Sequence, residues 1–305
     1  MKSIRQPTEI LKEAFQAECM AKNPLGTLFV YALMVCHAWF GVEALGQNAA
    51  TANVEVSVNL LDGSVVRGSI VSADSNQVAL QTSNGKLNKT AVEISRLSFA
   101  NKVESAGKSV EVLLLDGSKA FGDRLIGSST GWKLSSADGG EVAIQPKTIR
   151  AARLKTIPGP MVEAWQTAIK ETTESDAVIV VRGTESLDRI NGIIIQVQAN
   201  SVSFELDGQQ IEIPLEKLAG LMWFSRGQDR VRPAVEVVAT DQSTWLAESF
   251  LVSPSGVELQ TYLGQKVAIP LSKISSINYA TANIKWLSEL EVLEAVADKR
   301  FSFRS

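Results

Sequence analysis

The sequence predicts a mostly β protein, built as four small antiparallel β-barrel-like repeats in two pairs joined by an amphipathic helix. Three observations predict it. The stretch Ile213-Pro-Leu-Glu-Lys-Leu-Ala-Gly-Leu-Met-Trp223 returns 56 positions later, without a gap, as Ile269-Pro-Leu-Ser-Lys-Ile-Ser-Ser-Ile-Asn-Tyr279. Four alternating apolar stretches open units that close on this same rhythm, and self-similarity at a fixed spacing is the signature of repeats. Between the second and third units, one segment has the periodicity of a helix instead.

In chain order, residues 1–46 come first and read as an address. Residues 25–41, LGTLFVYALMVCHAWFG, carry no formal charge; Lys22 precedes them, and Val42, Ala44 and Gly46 follow. A basic flank, a short apolar run and small residues at the −3 and −1 positions describe a secretory signal peptide, cleaved after Ala44 or after Gly46. The same run nearly spans a bilayer core, so an uncleaved membrane anchor is a second reading and a buried core helix a third. Residues 1–21 are long for the start of a leader, which fits either initiation at Met20 or a cytoplasmic extension. Cys36 makes a poor lipoprotein cysteine, because Met34 and Val35 stand where small residues belong. Either leading reading exports the rest of the chain to the periplasm, the cell surface or the medium. Contact with a membrane is then left to an uncleaved N-terminal segment alone.

Export makes the composition informative. The 305 residues suffice for about two ~150-residue domains or several smaller ones, in an ordinary globular composition. Removing residues 1–46 takes away four basic residues (Lys2, Arg5, Lys12, Lys22) and four acidic ones (Glu9, Glu13, Glu18, Glu43), so the net charge stays at −3. It also removes the single histidine, His37, and both cysteines, Cys19 and Cys36. The exported part therefore has no disulfide, no thiolate or imidazole metal ligand, and no Ser-His-Asp or Cys-His machinery. A basic patch for nucleic acid is missing as well. No cofactor or metal site is expected.

Residues 47–157 hold repeats one and two, and residues 176–283 hold repeats three and four. Their openings are Val54-Glu-Val-Ser-Val-Asn-Leu60, Val110-Glu-Val-Leu-Leu-Leu115, Val178-Ile-Val-Val181 and Val235-Glu-Val-Val238. Asp62-Gly63 and Asp116-Gly117 follow the first two, the signal for a tight turn between strands. Val78-Ala-Leu80, Trp132-Lys-Leu134, Val202-Ser-Phe204 and Val257-Glu-Leu259 supply middle strands, and glycines near 85, 139, 208 and 264 mark second turns. A unit this small buries little surface alone, so it needs closure or a neighbour. Short links around 101–108 and 225–233 predict that unit one pairs with two, and three with four.

The linker, residues 158–175, places Pro160 in a first helical turn and Met161, Trp165, Ala168 and Ile169 on one face. The tail, residues 284–305, begins Ile284-Lys-Trp-Leu-Ser-Glu-Leu-Glu-Val292. Trp286, Leu290, Leu293 and Val296 or Ala297 have helical spacing, and a strand-like reading stands beside it.

Two resemblances add to this. The opening unit, VEVSVNLLDGSVVRGSIVSADSNQVALQT, resembles the first motif of Sm-like small β-barrels, with its strand, Asp-Gly turn, Gly68 and Asp74. Val78 stands where Sm-like proteins place a base-contacting asparagine, so the resemblance implies barrel geometry without RNA chemistry. Trp165 together with residues 178–224 resembles a segment of exported planctomycete-type bacterial proteins. In those, such repeats precede an NPCBM domain, a carbohydrate-binding jelly roll, and the tail resembles the lead-in to it. That resemblance implies a cell-envelope role, and the glycan binding it implies is not assigned to any residue of this sequence.

The candidate ligand-facing residues are Trp132, Trp245 and Tyr262, because a sugar's C–H faces stack on aromatic rings. Packing is the competing reading for each. Arg67, Arg182 and Arg226 could meet acidic sugars or acidic partners, or line a solvated face. Carboxylates are weak catalytic candidates: Asp62 and Asp116 lie in turns, where aspartate bonds its own backbone, and Glu171 and Glu174 close the linker helix. A glycosidase needs two carboxyls across a cleft. No catalytic residue is assigned. The expected function is a non-catalytic exported scaffold or interaction module whose partner is an envelope protein or glycan. Direct glycan binding and a carboxylate hydrolase are the alternatives.

Overall fold

Alternation of apolar and polar residues does build strands here. The computed structural model describes residues 54–104, 107–171, 174–183, 186–225 and 233–279; the leader and tail readings fall outside them. Strand β1 (Glu55–Leu60) buries Val56, Val58 and Leu60 and turns Glu55 outward. The fold is mostly β and antiparallel, with one α-helix among the described residues.

Strand pairing repeats four times. The first unit has β1, β2 (Val65–Asp74), β3 (Gln77–Thr82), β4 (Gly85–Thr90) and β5 (Ile94–Phe99), with a 3-10 turn at Ala91–Glu93. The first four strands pair in succession, and β1 also pairs with β5, so the first strand lies between the second and the last. The second unit has β6 (Val110–Leu114), β7 (Lys119–Gly122), β8 (Arg124–Ser128), β9 (Gly131–Ser135), β10 (Glu141–Ile144) and β11 (Ile149–Arg153). Here β7 and β8 share the second strand's role: β7 pairs with β6, and β8 with β9. The third unit has β12 (Asp176–Arg182), β13 (Ser186–Val197), β14 (Ser201–Leu206), β15 (Gln209–Pro214) and β16 (Leu218–Met222). The fourth has β17 (Val235–Ala239), β18 (Thr244–Ser253), β19 (Gly256–Thr261), β20 (Lys266–Ile269) and β21 (Ile274–Asn278). First and last strands pair in each of these three as well. Glycine permits the close approach of the second strand to the third: a Cβ on Gly68 would stand 2.6 Å from the Gln81 carbonyl oxygen, and on Gly192 2.3 Å from that of Glu205.

The units do not pair as their spacing predicts. Unit one joins unit four, and unit two joins unit three. β5 runs antiparallel to β21 with Leu97 opposite Ile277, and β11 runs antiparallel to β16 with Ala152 opposite Leu221. Each seam has a second contact between second strands, at Ala73–Val252 and at Ser128–Gln196. Each seam is also self-centred. Leu97 and Ile277 occupy the same place in their units, so exchanging the units maps the seam onto itself. Short links do not decide pairing; the complementary last strands do, because they bury an edge that would otherwise stay open.

Helix α1 (Gly159–Ala168) distinguishes the two seams. It starts with proline in its first turn and buries Met161 and Trp165, with Ala168 and Ile169 partly buried beside them. The Arg150 guanidinium donates to the Ile169 carbonyl at 2.6 Å, satisfying an orphan group where the helix ends. The helix covers the outer face of the seam between units two and three, where Ala151, Ala177, Ile179, Ala219 and Met222 form a small apolar cluster. The corresponding face of the other seam is polar. Arg96 donates to Asn278 at 2.6 Å, and Asn278 donates to Glu236 at 2.7 Å. Gly220 completes the fit, since a Cβ there would stand 2.5 Å from both the Trp165 ring and the Ala152 carbonyl oxygen; the fourth unit has Ser276 in its place.

Candidate functional site

The three aromatic candidates fall at three separate places. Trp245 pairs across β17–β18 with Val237 and is 2% exposed. Trp132 sits on β9 between Gly127 and Ile144 and is 3% exposed. Its ring meets Trp223 of unit three edge-on, with centroids 5.1 Å apart and planes at 71°. Trp132 occupies the position held by valines 78, 202 and 257 in the other units, so it is a core residue enlarged to reach a neighbouring unit. Its indole N–H is buried without an acceptor. Gly127, at φ +146°, packs its backbone against Trp132 Cα and leaves no room for a side chain. Tyr262 is half-buried in the turn between β19 and β20.

Trp245 lines a cavity of about 290 Å³ between units two and four. Its walls include Phe121, Leu134, Val267 and Ile269; Lys108, Asp241 and Lys273 stand among its polar residues. Lys108 donates to Ser136 Oγ at 3.0 Å and lies 3.8 Å from Asp241 and 4.0 Å from Glu104. Lys273 pairs with Asp138 across the two units. That hydrogen bond, helped by the Gly140 amide, holds the Asp138 carboxyl below the usual carboxylate range. A cavity with aromatic and aliphatic walls and a few convergent charges suits a small polar ligand with an apolar face.

Polar residues at the same junction were not singled out from sequence. Gln265 is buried; its amide nitrogen donates to the Ala143 carbonyl at 2.7 Å, and its oxygen accepts the Gln145 amide at 2.9 Å. Ser118 and Ser243 are buried there too. The available signal was the recurring Asp-x-Ser triplet at 62–64, 116–118 and 241–243.

The remaining candidates have local roles. Asp62 and Asp116 accept the amides of Ser64 and Ser118, both at 2.8 Å, as turn aspartates do. Glu171 and Arg182 form ion pairs with Arg189 and Asp188 respectively. Glu174 and Arg67 are exposed, and Arg226 lies outside the described residues.

No protein-family model and no curated protein matches this chain.

Proposed function

We propose that the protein is a non-catalytic, exported scaffold or interaction module of the cell envelope. In this reading each unit is an Sm-like small barrel, and the four barrels space or present an attached partner, a carbohydrate-binding domain among the candidates. The observation that carries the reading is how the units use their polar and aromatic side chains. Trp132, Gln265, Ser118, Ser243 and Lys273 all hold one unit against another. These side chains are engaged in contacts between modules. The resemblance of residues 178–224 to exported planctomycete-type proteins supports the same reading, as does the absence of histidine and cysteine beyond residue 37.

Direct glycan recognition is the second reading, favoured by the cavity beside Trp245. A glycan array that includes bacterial envelope polysaccharides separates the two. The scaffold reading expects a blank from folded protein and recovery of an envelope protein in cross-linked pull-downs. Reproducible binding that quenches tryptophan fluorescence, and that Lys108→Ala weakens, would replace it with glycan recognition.

A further inference from the structure

The junction between units two and four is built on a repeated triplet. Asp116-Gly117-Ser118 and Asp241-Gln242-Ser243 each form a turn in which the aspartate accepts its own serine's amide, at 2.8 and 2.9 Å. Ser118 Oγ then accepts the Leu246 amide, and Ser243 Oγ accepts the Phe121 amide, both at 2.9 Å. Between these two bonds Lys119 pairs with Thr244. Ser118 corresponds to Ser243, Phe121 to Leu246 and Lys119 to Thr244, so the junction is two-fold and self-complementary. The serines are 0% and 4% exposed.

Unit one carries the same triplet on an open surface. Asp62 accepts the Ser64 amide at 2.8 Å, and Ser57 faces Arg67 just as Glu111 faces Phe121. Here Ser64 is exposed, and its hydroxyl turns back onto its own Asp62 at 2.6 Å. Around it Leu61, Val65 and Val92 are 48%, 55% and 68% exposed. Leu61 and Val92 adjoin, since the Leu61 amide donates to the carbonyl of Glu93.

We infer that this face of unit one docks on the same face of a second copy of the chain, in the two-fold geometry that joins units two and four. Val65 then meets Val65 on the dyad, an apolar pair where the internal junction has a lysine and a threonine. Each Ser64 hydroxyl releases Asp62 and accepts the Arg67 amide of the other copy. Charge fits as well. In the internal junction Gly117 lies against Leu246, whose Cδ1 is 3.4 Å from where a Cβ on Gly117 would stand. By the same geometry Arg67 of one copy lies over Asp62-Gly63 of the other, placing a guanidinium beside a carboxylate.

The test is sedimentation of the full chain over a range of concentrations. A reversible dimer is expected, and Val65→Lys should weaken it about tenfold or more by setting like charges on the dyad. Lysine occupies the equivalent position in unit two, so this variant folds, and Val65→Thr is the neutral control. In a Cys19→Ser/Cys36→Ser background, Val65→Cys should cross-link under mild oxidation, because facing residues of antiparallel strands lie about 4.5–5.5 Å apart, within disulfide reach. Val71→Cys, also exposed, should not. A monomer at every concentration, a dimer indifferent to Val65→Lys, or equal cross-linking through Val71→Cys overturns the inference.

Discussion

Leu97 of the first unit lies directly opposite Ile277 of the fourth, and both are fully buried. Ala152 and Leu221 hold the same relation between units two and three. With the contacts between units two and four, all three junctions described here join the N-terminal half of the chain to the C-terminal half. The halves are interlocked, and the helix that links them also covers one seam.

Shortening the centre of a seam should be costly. Leu97→Ala removes buried methyl groups from both the unit core and the seam, and is expected to lower stability by about 2–5 kcal/mol. Chemical denaturation monitored by tryptophan fluorescence reads this, and Val71→Ala, on an exposed site, should change it little.

The fit of Trp165 over Gly220 predicts a coupled pair. Gly220→Ser should cost about 1–3 kcal/mol by overpacking, and Trp165→Ala about 3–5 kcal/mol. Serine is tolerated at the equivalent Ser276, where no tryptophan among the described residues overlies it, so the double variant should lose less than the two singles together. A double-mutant cycle measures that difference; strict additivity would refute the packing argument.

Gln265 anchors the central junction through buried hydrogen bonds. Gln265→Leu leaves the Gln145 amide and the Ala143 carbonyl without their partner, and is expected to cost about 1–3 kcal/mol in thermal or urea unfolding. Gln260→Leu, on the strand before it, is the control and should be nearly silent.

Acid should loosen the same junction slightly. Asp138 ionises more readily in the folded protein, because Lys273 and the Gly140 amide bond its carboxylate. Its contribution is therefore complete above the unfolded value near 4 and is lost as pH falls through the lower folded value. The pair is partly exposed, so the effect is at most about 1 kcal/mol. Stability curves of the parent and of Asp138→Asn should converge at low pH, separate as pH rises towards about 4 and keep a constant gap above it; a gap unchanged down to pH 2 would count against the pair. Glu93, held at about 2 chiefly by Lys89, contributes equally to both proteins.

Strands, repeat and helix were legible because each is set locally. Val56, Val58 and Leu60 alternate, Asp62-Gly63 turns, and Met161 and Trp165 share a helical face. The partners of each unit were not legible. Leu97, Ala152, Leu221 and Ile277 are all apolar residues of closing strands, and nothing in their type says which two meet. What separates the seams is distributed: Gly220 against Ser276, Met222 against Asn278, and a helix that, among the described residues, covers one of them. The burial of Trp132 and Trp245 was not legible for a related reason. Polar sequence neighbours suggested exposure for Trp132 and Trp245, whereas alternation along a strand turns those neighbours to the other face.

The most direct test of the interlocked organisation is to produce the chain as two separate polypeptides, residues 1–172 and 173–305, and to ask whether they associate. The account predicts a stable non-covalent complex in which each half needs the other for a cooperative unfolding transition. Two halves that fold alone and do not bind would contradict it and restore the pairing of adjacent units.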